Sequence, residues 1–365
     1  MTRVGIVGCG RMGQNHLDVI RSLPGLEVVG AADNDAARAR AFAERNALPF
    51  HAAALGTLIA GARPQVVHVL TPPFSHAALA CEALDAGCHV YVEKPMALTS
   101  AEAQSMAAAA ARAGRVLTVG HNNLFDTVVL EARERLASGR LGALVGVDVY
   151  HGTLPGSPPW VAGLPSGPWL NDTTHLLYLA QAFLGPATEV RALGHPARGG
   201  AAEMRAVLAH AGGLSTITLS CGAAPFRLRV ILYGTRRTLE IELINGTMVE
   251  SRPLGGHRWL AKGGAALGMA RQLVGRACGN AVRVLTGRER AWSSLRTLLE
   301  GFYAAVRGNG TSPVPIADAL RVAELLEEIR RQLEQAAAGP GSGAAAPTEE
   351  TRRRATVVAA ARRRE

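Results

Sequence analysis

Lysine is almost missing from this sequence. Of its 39 basic residues 37 are arginine, and only Lys94 and Lys262 are lysine. Cysteine is scarce too: Cys9, Cys81, Cys88, Cys221 and Cys278 are an odd number, with no C-x-x-C pair and no metal-ligand spacing. That excludes a disulfide-stapled scaffold and a zinc ribbon, and predicts free thiols in a reducing compartment. Aromatic residues make up 4% and do not cluster among the arginines, which argues against a nucleic-acid stacking platform. No apolar run approaches the ~20 residues of a membrane span. No basic segment with an apolar core precedes Arg3, so a secretory signal is not expected. These absences point to a soluble, cytoplasmic protein.

What is present is ordinary globular composition: 365 residues, 48% apolar and 19% charged, enough for two domains with a core each. The net charge of +10 is local. Arg258–Arg290 carries +6 and the tail Ala336–Glu365 carries +3, leaving the rest nearly neutral. The dearth of lysine gives Lys94 weight, because a lysine pKa can be moved toward neutrality by its surroundings and an arginine pKa cannot. Lys262 fits chance.

The first 120 residues alternate short apolar runs (Val4–Val7, Glu27–Ala32, Gln65–Leu70, His89–Val92, Val116–Val119) with helical stretches. That pattern predicts an α/β domain with a doubly wound parallel sheet over residues 1–121. After Phe125 a helix, a strand at Leu144–His151, a Pro/Gly-rich loop and a helix at Asn171–Leu184 lead into five successive strand candidates between Glu189 and Ile241. Strands without crossover helices predict an α+β domain over 122–335, with a large, mostly antiparallel open sheet. Its last helix is free to pack back on the first domain. Residues 336–365 are expected to be a disordered tail. Leu267, Val274, Cys278, Val282 and Leu285 share one helical face, with Arg276 and Arg283 opposite. A helix packed on the sheet is the expected reading, and a membrane-surface role the less favoured one.

Gly8-Cys9-Gly10-Arg11-Met12-Gly13 is a G-x-G-x-x-G directly after a strand and opening a helix. Gly8 is suited to the tight turn, Gly10 to close approach of a pyrophosphate, and Gly13 to helix–strand packing. The helix N-terminus then faces the phosphates. Asp33, 20 residues past Gly13, stands where a carboxylate accepts from the adenosine ribose hydroxyls. With Asn34 beside it, this favours NAD, and Arg38 keeps NADP open. Thr71, Pro72 and His76 follow the next strand at the same edge. There His76 either faces the cofactor or makes a structural hydrogen bond. Glu93-Lys94-Pro95 ends the following strand, and a cis bond before Pro95 would turn Lys94 into the cleft.

These motifs, with Ala86–Pro95 as Ala-Gly-x-His-Val-x-x-Glu-Lys-Pro and Val119–Phe125 as Val-Gly-x-Asn-x-x-Phe, resemble the glucose–fructose oxidoreductase/inositol dehydrogenase (Gfo/Idh/MocA) family over about residues 3–335. The resemblance implies NAD(P)-linked oxidoreduction of sugars, cyclitols or related polyols, some of them nucleotide-linked. It also implies a homo-oligomer, dimer or tetramer, assembled through the second sheet. It places Glu93 and Lys94 near the nicotinamide ribose, Lys94 on the substrate, and Asn122 near the cofactor. Relatives often carry Asp-x-x-x-His on the helix after the variable loop. Here Asn171 stands in the Asp position, Asp172 follows one place on, and His175 is kept. Tyr178 stands where many relatives have a second Asp.

The expected chemistry is proton removal from a secondary hydroxyl by His175, oriented by Asn171 or Asp172, with Lys94 stabilising the alkoxide. Trp160 and Trp169 are candidates for stacking on a sugar face. Two other readings stay open: a redox-neutral lyase, hydrolase or epimerase that retains NAD, and a cofactor-binding regulatory protein without turnover. No metal, nucleic acid or membrane partner is expected.

Overall fold

The computed structural model describes residues 1–154, 161, 168–196, 202–253, 258–286, 292–308 and 311–337. The side chains of 168–170, 196, 258–263 and 337 are not described. Of the tail expected to be disordered from Ala336, the first two residues belong to the last helix, Ile316–Ala337, and those from 338 on lie outside the described residues, as do Trp160 and the side chain of Trp169.

The first domain is a six-stranded parallel sheet in the order β3-β2-β1-β4-β5-β6 among the described residues. Its strands are β1 (Thr2–Val7), β2 (Leu26–Ala32), β3 (His51–Ala52), β4 (Val66–Val69), β5 (His89–Val92) and β6 (Leu117–Val119). Helices α1 (Arg11–Arg21), α2 (Ala36–Arg45), α3 (Leu55–Ala62), α4 (His76–Asp85) and α5 (Ser100–Ala113) make the crossovers. The strands are mainly apolar because helices cover both faces, with His68 of β4 and Thr118 of β6 buried among the apolar residues. α5 starts on a full capping box: Thr99 accepts from the Glu102 N–H, and the Glu102 carboxylate takes the Thr99 N–H in return. β3 and α3 escaped the sequence reading. The strand is two residues long, and α3 is a short apolar segment with two glycines.

After α6 (Thr127–Ala137) the chain builds a second sheet from β7 (Leu144–Thr153), β8 (Ala187–Pro196), β9 (Ala202–His210), β10 (Gly213–Cys221), β11 (Arg227–Gly234), β12 (Thr238–Glu242) and β13 (Thr247–Ser251). The order is β13-β12-β11-β7-β10-β9-β8. Every pairing is antiparallel except β7 with β10, so the expected open, mostly antiparallel sheet is present. α7 (Pro168–Leu184) packs on the face that buries Val147, Val149, Ile217 and Leu219. The other face carries Leu193, Val207, Leu214 and Tyr233, all exposed.

Two more helices join the halves. α9 (Ser293–Val306) puts Leu295, Leu298, Leu299, Phe302 and Tyr303 into the core of the parallel sheet. α10 (Ile316–Ala337) gives Ala319 and Ala323 to that core, and Val322, Leu325, Leu326 and Ile329 to the other.

α8 (Arg258–Leu285) corrects the sequence reading. The helix does pack along β13, but with its polar side. Gln272 bonds both the N–H and the C=O of Glu250. Arg276 clasps the Glu131 carboxylate of α6 with both terminal nitrogens, and Asn280 donates to the carbonyls of Asn245 and Gly246. The apolar stripe faces outward, with Leu267 74% and Leu285 85% exposed. Hydrogen bonds to backbone groups at the sheet edge took the place of apolar burial. Among the described residues no helix is long and apolar enough to cross a membrane.

Candidate active site at the carboxyl edge of the parallel sheet

Because β1, β2, β4, β5 and β6 run parallel, the loops after them meet at one edge. The glycine loop closes there as its sequence demands. Gly8 has φ +101°, and a Cβ on it would press into the Leu70 backbone. A Cβ on Gly13 would collide with the Gly8 carbonyl, whereas Gly10 has open space in front of it. α1 starts at Gly10 without a side-chain cap and without an acidic residue in its first turn. That arrangement suits a dinucleotide pyrophosphate: free N–H groups, a positive dipole end and room for the phosphate oxygens. Arg11 and Asn34 are exposed at the rim of this loop, and Met12 is half-buried. Asp33 is buried, accepting the Cys9 N–H at 2.9 Å and the Asp35 N–H at 3.0 Å. Arg38 bonds Asp33 at 3.0 Å and Asp35 at 3.1 Å, so two carboxylates already neutralise it.

The next loop is braced internally. Ser75 donates to the Thr71 hydroxyl at 2.7 Å and to the Pro72 carbonyl at 3.0 Å. His76 is buried, with Nδ1 2.9 Å from the Pro95 carbonyl and Nε2 2.7 Å from that of Thr71. These contacts tie the two loops together.

Lys94 follows β5 across a cis bond to Pro95. Its ammonium donates to the Asn171 carbonyl and to Asn171 Oδ1, each at 3.1 Å, and lies 4.0 Å from Asp172 Oδ1. Asn171 in turn donates to Asp172 at 2.7 Å. Burial pushes the Lys94 ammonium below its ordinary 10.5, against the opposing pull of Asp172 and Glu93. For Glu93, burial pushes upward, but the hydrogen bond from His16 Nε2, the charge of Lys94 and the Lys94 N–H prevail. The net direction is below the usual carboxylate value.

One turn along α7, His175 shares this space. Burial, then the charges of Lys94, His151 and His121, hold it well below its ordinary 6.5. Its Nδ1 lies 2.6 Å from the Tyr178 hydroxyl and 3.3 Å from the Asn123 amide. This corrects the expectation about orientation. Neither Asn171 nor Asp172 holds the ring, because the Lys94 ammonium engages them both. Tyr178 holds it instead.

Three residues here were not found from the sequence. Asn123, not its neighbour Asn122, reaches His175. His121 stacks on Tyr178 with centroids 4.5 Å apart, and burial pulls its pKa to about 3. His151 of β7 meets His175 edge-on at 5.9 Å. It is 4% exposed, and neither of its nitrogens has a partner among the described residues. Only strand alternation could have flagged His151, by placing a polar side chain on the buried face of β7.

The carboxyl edge of the parallel sheet thus carries a glycine loop suited to a dinucleotide, and Lys94 at that same edge meets the α7 turn that bears His175. The chain belongs to the Gfo/Idh/MocA family. Residues 2–121 match its model described as an oxidoreductase family with an NAD-binding Rossmann fold, and 129–240 match the GFO/IDH/MocA C-terminal domain. Over 141 residues it is 38% identical to a 1-carboxy-3-chloro-3,4-dihydroxycyclohexa-1,5-diene dehydrogenase of Comamonas testosteroni, covering 38% of this chain and 35% of that protein. Over 153 residues it is 34% identical to inositol 2-dehydrogenase 1 of Saccharopolyspora erythraea, covering 41% and 45%. The alignments thus span less than half of either relative. The WlbA dehydrogenase of Bordetella pertussis, solved with NADH and UDP-GlcNAcA, has the same fold. It is 20% identical, with a TM-score of 0.74, and the match covers 92% of this chain and 96% of that one.

Proposed function

We propose that this protein is an NAD-dependent dehydrogenase/reductase acting on a secondary hydroxyl of a sugar, cyclitol or related polyol, nucleotide-linked forms included. The observation that carries the reading is the meeting of Lys94, from the first domain, with the α7 turn that bears His175. An ammonium and an uncharged imidazole from two domains, side by side at the cofactor edge, are the two groups that oxidation of an alcohol requires.

In the oxidative direction His175 Nε2 serves as the base for the substrate hydroxyl, which requires Nδ1 to carry the ring hydrogen and donate it to the Tyr178 oxygen, with the Asn123 amide turned so that its oxygen, not its NH2, faces Nδ1. Lys94 donates to the oxygen as it becomes an alkoxide, and Asn171 and Asp172 hold the ammonium in place. Nicotinamide, when bound, supplies the hydride acceptor. His151 lies beside His175, and leaving both its nitrogens unpaired would cost about 1–3 kcal/mol apiece. We assign it to a second hydroxyl of the substrate. Asp33 suits the adenosine ribose, and Arg38, spent on two carboxylates, is poorly placed to serve a 2′-phosphate, so NAD is preferred. The exposed face of the second sheet is the proposed surface for self-association.

Fluorescence titration with NADH and NADPH, followed by a polyol and nucleotide-sugar panel, tests the reading. NADH is expected to bind the more tightly, and a panel member to drive net NAD reduction. Tight cofactor retention with no net turnover would favour redox-neutral chemistry instead. No cofactor binding at all would overturn both.

A further inference from the structure

Glu93 stands at one end of a line of buried polar groups that the proposed reaction does not use. Its Oε1 lies 3.2 Å from His16 Nε2 on α1. His16 Nδ1 lies 2.9 Å from His68 Nδ1 on β4, and His68 Nε2 lies 2.8 Å from the Tyr303 hydroxyl on α9. His16, His68 and Tyr303 are buried. Tyr91 stacks on His68 at 5.0 Å and donates to the same Glu93 oxygen at 3.3 Å, while Glu93 Oε2 accepts the Lys94 N–H at 3.1 Å.

Two imidazoles that meet through the same ring nitrogen settle each other's proton, since one must donate and the other accept. An ionised Glu93 only accepts, so His16 donates from Nε2. With His16 Nδ1 as acceptor, His68 donates from Nδ1, and its Nε2 accepts from the Tyr303 O–H. Each link then has one donor and one acceptor. Were His16 to carry both protons, His68 would have to accept at Nδ1 and donate to Tyr303. The Tyr303 hydrogen would then be stranded, because His68 is its only hydrogen-bond partner among the described residues.

We infer that Tyr303, His68 and His16 form a one-way hydrogen-bond chain that positions the Glu93 carboxylate at the cofactor end of the pocket. This rests on the proposed placement of Glu93 at the nicotinamide ribose. None of the three touches cofactor or substrate; they are positioning residues. The chain also ties the cofactor edge to α9, which joins this core from more than 200 residues downstream.

The first test is nitrogen-15 NMR of histidine in the full, ligand-free chain, with His16→Gln and His68→Gln used for assignment. His16 is expected as the Nε2–H tautomer and His68 as the Nδ1–H tautomer. A doubly protonated His16, or His68 protonated at Nε2, would overturn the chain. The second test is NADH titration. His16→Gln keeps an N–H for Glu93 and an oxygen for His68 but cannot carry a charge, whereas His16→Met fills the space and offers neither. With both variants folded by thermal melting, the Gln form is expected to bind NADH within about threefold of wild type and the Met form at least about tenfold more weakly. Equal losses would mean that a cation is required, and wild-type affinity in the Met form would mean that Glu93 needs no positioning. Either result overturns the inference. Tyr303→Phe, the mildest change, should shift the His68 signals while the fold persists; unchanged His68 signals would contradict the chain. A wild-type chain that does not bind NADH would defeat the cofactor reading alone, and the tautomers would still decide the chain.

Discussion

The His175 imidazole is held by a phenol and an amide rather than by a carboxylate, and burial beside the Lys94 ammonium keeps it uncharged well below its ordinary 6.5. Both groups are depressed in the same direction, which fixes the sign of the pH dependence. His175 stays able to accept a proton to pH values below 6.5, and Lys94 loses its ammonium below 10.5. The pH profile of kcat/KM for alcohol oxidation is therefore expected to keep its plateau through pH 6.5 and to begin its alkaline fall before 10.5. An acid limb at or above 6.5 would contradict the environment described for His175. Tyr178→Phe removes the oxygen that fixes the ring and is expected to lower kcat about 10²-fold with a smaller change in KM, the lower end of what a positioned base contributes. An unchanged kcat would show that Asn123 suffices. Of these side chains, Lys94 and His175 were legible because motif spacing marks them. Tyr178, Asn123 and His151 were not, since their roles depend on which way a helix and a strand turn once packed.

At the scale of elements, glycine placement and apolar runs announced the parallel sheet, because a strand covered on both faces leaves a continuous apolar signature. Periodicity located α8 equally well but misjudged which side faces the protein. An apolar stripe states only where burial would be favourable, and here the polar side found backbone partners at β13 and a carboxylate on α6. If the outward stripe is uncovered in the monomer, Leu267→Ser and Val274→Ser should each change unfolding free energy by less than about 0.5 kcal/mol in urea titration at low protein concentration. Glu131→Gln, which takes away the charge that Arg276 clasps, is expected to loosen α8 and speed amide hydrogen exchange around Arg276. A loss above about 2 kcal/mol from either serine substitution would mean that this face is packed in solution.

Across the whole molecule, burial sets an acid limit. His68, His76, His121, His151 and His175 are all depressed, with burial the largest cause in each. The unfolded chain binds protons near pH 6.5 that the folded chain refuses, so stability falls as pH drops below that value. Melting temperature is expected to decline from about pH 6.5 downward, where carboxylates alone would delay the loss to about pH 4.5. A flat profile down to 4.5 would contradict the burial of these rings. The two-layer plan was readable because the texture of the sequence changes after Phe125. The return of α9 to the first core was not, since an amphipathic helix does not encode which sheet it will cover.

The central claim is that Lys94 and His175 act together on one carbinol beside a bound nicotinamide. Its most direct test is deuterium transfer: a polyol deuterated at the carbinol carbon, chosen from the panel, is incubated with NAD and the reduced cofactor is weighed by mass spectrometry. Deuterated NADH is expected from the wild-type chain, with a rate at least about 10²-fold lower in both Lys94→Ala and His175→Ala. Transfer at the wild-type rate in either variant, or NADH formed without deuterium, would contradict it.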